Sequence, residues 1–286
     1  MTSPIDPAAP FAFDGRSPFT YTGFAARVIF GEGSLTRLPE EIERLGARRA
    51  LVLCTPEQRA AAEQVAARLG ERAAGIHDRA VMHVPIETAI AARDEAARVG
   101  ADCCVAVGGG STVGLGKAIA LTSGLPIVAV PSTFAGSEMT AIWGLTEGGV
   151  KKTGRDPKVL PRTVVYDPAM LDTLPAKIAG PSGMNAIAHC VEALYAVDAN
   201  PIVSMIAEEG IRALAASLPA VVDPAVTGEA RRTALGLAQY GAWLAGTALN
   251  GVSMAIHHKL CHTLGGSFNL GHAETHTVVL PYATAY

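Results

Sequence analysis

Short aliphatic runs alternate with amphipathic stretches along the first 170 residues of the chain. The aliphatic runs are continuous rather than interrupted at every second position, which indicates strands buried on both faces. The predicted strands cover residues 49–54, 103–107, 126–130 and 163–166. The amphipathic stretches predict helices at residues 56–69, 85–99 and 111–122. Because strands alternating with helices build βαβ units, we expect a parallel sheet.

Beyond residue 175 the pattern becomes helical, and it predicts no strand until the last residues. The predicted helices cover residues 175–197, 201–218 and 227–250. Between the two regions, the composition shifts towards Gly, Lys, Arg and Pro. We therefore expect two domains, an α/β domain over residues 1–170 and an all-helical domain over residues 171–286.

The composition is that of a chain that buries a large core. Of the 286 residues, 49% are apolar and 17% are charged, which excludes intrinsic disorder. The net charge of −3 offers no basic surface, so we expect no nucleic acid and no anionic membrane as a partner. No aliphatic run reaches the ~18 residues of a membrane span.

The five cysteines are odd in number and have no CxxC spacing. This pattern favours free, buried thiols in a reducing cytoplasm over a disulfide framework. The first ten residues lack the basic and apolar segments of a signal peptide, so we expect a cytoplasmic location.

Three glycines follow the predicted strand at 103–107, in the segment GGGST at Gly108–Thr112. Glycines let the backbone approach a phosphate, and the first N–H groups of the next helix point at it. The alternative is a tight turn without a ligand, since the segment is not the GxGxxG fingerprint. A second hydroxyl-rich loop, at Pro131–Glu138, follows the next strand. Two such loops on adjacent strands favour a dinucleotide site.

Five of the eight histidines lie within twenty residues near the end of the chain. They are His257, His258, His262, His272 and His276, and a sixth, His189, lies four residues after Asn185. Several imidazoles converging on one cleft could bind a metal or act as acids. The alternative, that each is an ordinary core or surface histidine, needs many coincidences.

Two further features qualify this histidine pattern. His258 and His262 share one helical face, and Gly265 and Gly266 are expected to end that helix. Asn185 offers a metal only an uncharged amide oxygen, which weakens the metal interpretation.

Four segments resemble the iron-containing alcohol dehydrogenase superfamily. They are GGGST, PSTFAGSEMT at 131–140, GMNAIAHCVEALY at 183–195 and HHKLCHTLGGSFNLGHAETH at 257–276. The variants AGSEMT, WGLTEGG, KKTGRDPKVLPRTVVYDP, GMNA and HAETH resemble its maleylacetate reductase branch. The resemblance covers essentially the whole chain.

The resemblance implies a dehydroquinate synthase-like fold, with an α/β dinucleotide-binding domain, an all-helical domain and the active site between them. It also implies NADH or NADPH as the cofactor. The implied pyrophosphate contacts are Gly109, Gly110 and Ser111. Ser132, Thr133 and Ser137 are expected to line the rest of the cofactor cleft, with Lys152 nearby.

In metal-dependent members of the superfamily the ligands are an Asp, a His four residues later and two further His. The corresponding residues are Asn185, His189, His258 and His272. The anionic ligand is thus lost, and Gly114 stands where such members often carry an Asp. We therefore expect weak, optional or absent iron or zinc, with the imidazoles retained for catalysis.

The activity implied is reduction of the carbon–carbon double bond of maleylacetate to 3-oxoadipate in aromatic-compound degradation. The expected catalytic residues are His189, His258 and His262, in no fixed order, followed by His272 and His276. One alternative is a metal-dependent alcohol dehydrogenase acting on a small aldehyde or ketone. Another is a non-catalytic dinucleotide-binding module, which has no need of the histidines.

The expected substrate is a small dicarboxylate, which calls for nearby cations. A basic cluster follows the Trp-containing motif and consists of Lys151, Lys152, Arg155, Lys158 and Arg162. It is either a site for the substrate or cofactor phosphate, or a solvated loop. Glu57 is either a ribose ligand or a first-turn helix residue, which leaves NAD versus NADP open.

The superfamily resemblance further suggests a homodimer. The chain stops soon after the aliphatic run at 278–280 and Pro281. Further helices are expected to follow in the superfamily, so the helical domain is expected to be incomplete.

Overall fold

The computed structural model describes residues 26–268 and 270–286, together with Tyr21 and Gly23. Its strands are β1 (Arg27–Phe30), β2 (Ala50–Leu53), β3 (Ala73–His77), β4 (Cys103–Gly108), β5 (Ile127–Pro131), β6 (Ile142–Glu147), β7 (Val150–Arg155) and β8 (Thr163–Tyr166). Six of them form a parallel sheet in the order β1-β8-β5-β4-β2-β3. The other two, β6 and β7, form an antiparallel hairpin.

Nine α-helices are described. They are α1 (Leu38–Arg44), α2 (Arg59–Leu69), α3 (Ile86–Arg98), α4 (Gly110–Ser123), α5 (Ala176–Tyr195), α6 (Pro201–Val222), α7 (Gly228–Gly251), α8 (Ile256–Phe268) and α9 (His272–Ala285). The predicted order, a parallel α/β sheet followed by helices, is confirmed. The exact division at residues 170 and 171 stays a prediction.

Strand β4 shows why its aliphatic run is continuous. Its six residues are all buried. Val105 and Val107 pack into one core cluster, whereas Cys104 and Ala106 belong to two clusters formed with other elements. Because successive side chains of a strand point to opposite faces, a sheet covered on both faces requires an unbroken apolar run.

The helical region has its own core, built mainly from small residues on α5, α6 and α7. Among the described residues, no helix has the length and apolar character needed to cross a membrane. All five cysteines are buried free thiols, as predicted.

The structure corrects the local predictions at five places. Strands β1 and β3 and the β6–β7 hairpin were not predicted, because β1 is a short edge strand, β3 contains Gly75 and β7 is largely exposed. Gly265 and Gly266 do not end α8, which continues to Phe268. The last residues form α9 rather than a strand, because packing against α5 and α8 stabilises a helix there.

The β6–β7 hairpin is attached to the loop that follows β3. The Thr146 backbone N–H donates to the Val84 carbonyl at 3.1 Å, and the Thr146 hydroxyl donates to the His83 carbonyl at 2.9 Å. In the hairpin, Lys151 lies opposite Thr146 and Lys152 lies opposite Leu145. Because side chains alternate along a strand, these two lysines point to opposite faces.

Candidate active site

A cleft of about 570 Å³ separates the sheet from the helices. Its walls are the loops after β4 and β5, the β6–β7 hairpin and parts of α5, α7, α8 and α9. In an open parallel sheet, the crevice beyond the carboxyl ends of the strands is the usual place for a ligand.

The glycine-rich turn forms one wall of this cleft. Helix α4 begins at Gly110, and no side chain in the described part of the chain caps its N-terminus. A Cβ added at Gly109 would lie 2.9 Å from the Thr133 side chain, so only glycine leaves this space open. An uncapped helix N-terminus beside open backbone suits a pyrophosphate, and the chain's residues here fit a nicotinamide dinucleotide.

The predicted cofactor residues divide into two groups. Gly110, Ser111, Thr133 and Ser137 line the cleft. Ser132 is buried and accepts a hydrogen bond from the Gln58 amide, so its hydroxyl is engaged inside the protein.

Lys152 is exposed, pairs with Glu147 and lies outside the cleft lining, whereas its neighbour Lys151 belongs to that lining. The alternation of side chains along β7 explains the difference.

The histidine cluster forms the opposite wall. His189, His258, His262 and His272 line the cleft, and His257 and His276 lie behind them. The rings of His189 and His258 stack with centroids 4.9 Å apart. Four other centroid pairs measure 5.9 Å for His258–His262, 5.8 Å for His262–His272, 4.2 Å for His272–His276 and 4.4 Å for His258–His276.

Glu192 contributes a buried carboxylate that sequence reasoning missed. One carboxylate oxygen contacts His258 Nδ1, and the other accepts the His258 backbone N–H at 3.1 Å. These two contacts orient the ring so that Nε2 is free of hydrogen-bond partners within the described part of the chain. Glu192 follows His189 by three residues on α5, and this shared helical face was the available signal.

The ligand set of metal-dependent relatives does not fit this arrangement. The Asn185 amide nitrogen lies 3.4 Å from His189 Nε2, and the Glu192 carboxylate is engaged by His258. In the described residues, the imidazoles that come within metal-ligand distance form other triples. These are His257, His258 and His276, and His262, His272 and His276.

Lys117 was not singled out from the sequence, although it lies in the cleft wall. Its buried ammonium donates to the Ser137 carbonyl at 2.7 Å, the Thr140 hydroxyl at 2.9 Å and the Ile142 carbonyl at 2.7 Å. Burial lowers the pKa of Lys117 to about 7. The residue fixes the loop after β5 to the start of β6, and all three of its donors are used.

Burial lowers the pKa values of four imidazoles of the cluster, those of His189, His258, His272 and His276, below their ordinary value of 6.5. The pKa of His272 falls to about 4, mainly through burial and secondarily through the charge of Lys151. The pKa values of His189, His258 and His276 are lowered in the same direction, again mainly by burial and then by neighbouring imidazoles. The cluster therefore disfavours additional protons.

We expect the protein to lose stability as the pH falls from 6.5 towards about 4. Within this window the unfolded chain binds more protons than the folded chain, so the stability present above pH 6.5 is progressively lost. Urea midpoints measured from about pH 8 to about pH 4 test this slope. His276→Leu, which removes one titrating group, should flatten the profile. An unchanged slope in that variant would contradict this origin.

Family models match nearly the whole described chain. The model for iron-containing alcohol dehydrogenase matches residues 25–168, and the model for the Fe-containing alcohol dehydrogenase family, C-terminal, matches residues 180–286. Maleylacetate reductase of Burkholderia cepacia is 59% identical over 277 residues, covering 96% of this chain and 75% of the relative. Maleylacetate reductase 2 of Cupriavidus pinatubonensis is 58% identical, covering 91% and 71%.

Solved structures agree with these sequence matches. Maleylacetate reductase from Rhizobium sp. superimposes with a TM-score of 0.90 at 54% identity, covering 94% of this chain and 76% of the other. A putative alcohol dehydrogenase from Ralstonia eutropha gives a TM-score of 0.91 at 62% identity, covering 94% and 75%. The chain therefore belongs to the iron-containing alcohol dehydrogenase family and, within it, groups with the maleylacetate reductases.

Proposed function

We propose that this oxidoreductase reduces the carbon–carbon double bond of maleylacetate to 3-oxoadipate with NADH or NADPH. One observation carries the proposal. The uncapped start of α4 and the histidine cluster face each other across a single cleft, and an uncharged amide occupies position 185. A dinucleotide and a small substrate can meet there, beside imidazoles rather than beside an anionic metal ligand.

The chemistry determines what the protein side chains must do. A bound nicotinamide cofactor supplies the hydride. The alkene is conjugated to a ketone, so hydride addition at the β carbon moves negative charge onto the carbonyl oxygen. A donor placed at that oxygen stabilises the enolate as it forms, and an acid must then protonate the α carbon.

His258 is the donor in this proposal. His258 lines the cleft, its Nδ1 contacts Glu192, and its buried Nε2 has no partner among the residues described. Burial raises the pKa of Glu192. With one proton shared between the Glu192 carboxylate and His258 Nδ1, and a second proton on His258 Nε2, the buried pair carries no net charge. The Nε2–H group can then donate to the enolate oxygen.

His262 is the proton source for the α carbon. It lines the cleft, its ring centroid lies 5.9 Å from that of His258, and it is exposed. Exposure lets it regain a proton from water after each turnover. His189, stacked on His258 and next to Asn185, has the role of holding the His258 ring in place.

The test measures the oxidation of NADH or of NADPH in the presence of maleylacetate, monitored as the loss of absorbance of the reduced cofactor. Turnover with either cofactor and formation of 3-oxoadipate are expected. No turnover with both cofactors would remove the proposal.

The competing activity is metal-dependent alcohol oxidation. The same preparation is therefore assayed for bound iron and zinc, and for oxidation of small alcohols before and after chelation. Stoichiometric metal together with chelator-sensitive alcohol oxidation would replace maleylacetate reduction by that activity.

A further inference from the structure

The cleft is cationic on one side, although the chain carries a net charge of −3. Among the lining residues that the structure describes, Glu274 supplies the sole carboxylate, and the cations are Lys117 and Lys151. The donors of Lys117 are all used by protein oxygens. Lys151 is therefore the cation in this lining that remains available to a ligand.

The structure separates Lys151 from the rest of the basic cluster. Lys152 pairs with Glu147, and Arg155 donates to the carbonyl and side-chain oxygens of Asn250. Lys158 and Arg162 do not belong to the cleft lining. Of five basic residues close together in sequence, the fold places one ammonium in the cleft.

His83 lies on the same side of the cleft and has no part in the mechanism above. The pKa values of His83, His262 and His272 are lowered mainly by burial and secondarily by the charge of Lys151. His83 and Lys151 come from different segments, and Thr146 joins those segments by bonding to the loop that carries His83.

The backbone at His83 is strained. His83 and Val84 have φ values of 64° and 45°, a region that is strained for a β-branched residue such as Val84. A Cβ added at Gly114 would lie 2.9 Å from the Val84 side chain, so the glycine at this position makes room for the strained turn. Strain supported in this way, at the wall of a cleft, is typical of a binding position.

We propose that Lys151 and His83 form a binding site for one terminal carboxylate of the substrate, across the cleft from the proton-transfer groups. This inference rests on the proposed function. The Lys151 ammonium supplies the charge, and a ring N–H of His83 supplies a second hydrogen bond. A dicarboxylate is thereby held at one end while its ketone meets His258. A substrate without that carboxylate loses both contacts.

Lys151→Met is the test variant, and Lys152→Met is its matched control on the opposite face of β7. We expect Lys151→Met to raise the KM for maleylacetate about 10- to 100-fold, because hydrogen bonds to charged groups contribute on this scale. Its kcat, and its KM for NADH, should stay within about threefold of the parent values. Lys152→Met should match the parent protein, and Lys151→Arg should recover most of the affinity.

His83→Asn provides a second, independent variant. Asparagine tolerates a positive φ, so the backbone of the loop is preserved while the imidazole is lost. Its KM for maleylacetate should rise with little change in kcat. Equal KM values for Lys151→Met and Lys152→Met would overturn the carboxylate site.

Direct binding separates this inference from the proposed function. Calorimetric titration with adipate and with its monomethyl ester measures the contribution of one carboxylate. The parent protein should bind adipate more tightly, and Lys151→Met should abolish the difference. A persistent difference in that variant, or none in the parent protein, would overturn the site. Tight adipate binding without maleylacetate turnover would instead overturn the proposed function alone.

Discussion

His258→Gln is expected to lower kcat with maleylacetate by a factor on the order of 10²–10⁴. The reason is geometric. His258 lines the cleft, its Nδ1 contacts the buried Glu192 carboxylate, and its Nε2 has no partner among the described residues. Glutamine offers an amide N–H but loses the imidazole ring that Glu192 holds through Nδ1, so the donor is no longer fixed at the enolate oxygen. Steady-state kinetics at saturating NADH measures the effect.

His77→Gln is the matched control for this variant. His77 is also a buried imidazole bonded to a carboxylate, with its Nδ1 2.7 Å from Glu95, but it lies outside the cleft lining. Its replacement should reduce thermal stability and leave kcat unchanged. An equal fall in kcat for both variants would show that the effect of His258 is structural.

Glu192 variants test whether the carboxylate acts through His258. In Glu192→Gln, the orientation of the ring is preserved and the charge is lost, so a smaller fall in kcat is expected than for Glu192→Leu. The double variant His258→Gln/Glu192→Leu should be no slower than His258→Gln alone, because the two residues form one unit. Additive losses would assign Glu192 a separate role.

Gly109→Val is expected to raise the dissociation constant of NADH at least about 100-fold, equivalent to about 2.7 kcal/mol. A Cβ at this position lies 2.9 Å from two atoms of Thr133, and the additional methyl groups of valine fill the space beside the α4 N-terminus. Titration of NADH fluorescence measures the affinity, and the thermal midpoint shows whether the fold survives.

Gly266→Ala is the control for loss of a glycine. A Cβ at Gly266 meets no atom within 4 Å, and the residue lies inside α8, so alanine should be tolerated or slightly stabilising. NADH binding by Gly109→Val at the parental affinity would exclude the glycine-rich turn as the pyrophosphate site.

Local patterns predicted the main elements of the fold correctly. The unbroken run at 103–107 and the helix after GGG follow from short-range rules, because a strand covered on both faces must be apolar at every position. The same rule did not identify strand β7, because its sequence, VKKTGR, is polar and mostly exposed. The missed hairpin also concealed the alternation that places Lys151, rather than Lys152, in the cleft.

The sequence by itself determined the parallel sheet, the glycine-rich turn after β4 and the presence of many imidazoles in the second region. Only the tertiary structure decided which imidazoles face the cleft and that Glu192, 66 residues before His258, supports it. It also decided that His83 and Lys151 both line the cleft. The physical reason is that sequence patterns report on short-range interactions, whereas the site is built from residues far apart in the chain. Hydrophobic periodicity records which face of an element is buried, whereas the partner that this face meets depends on how distant elements pack.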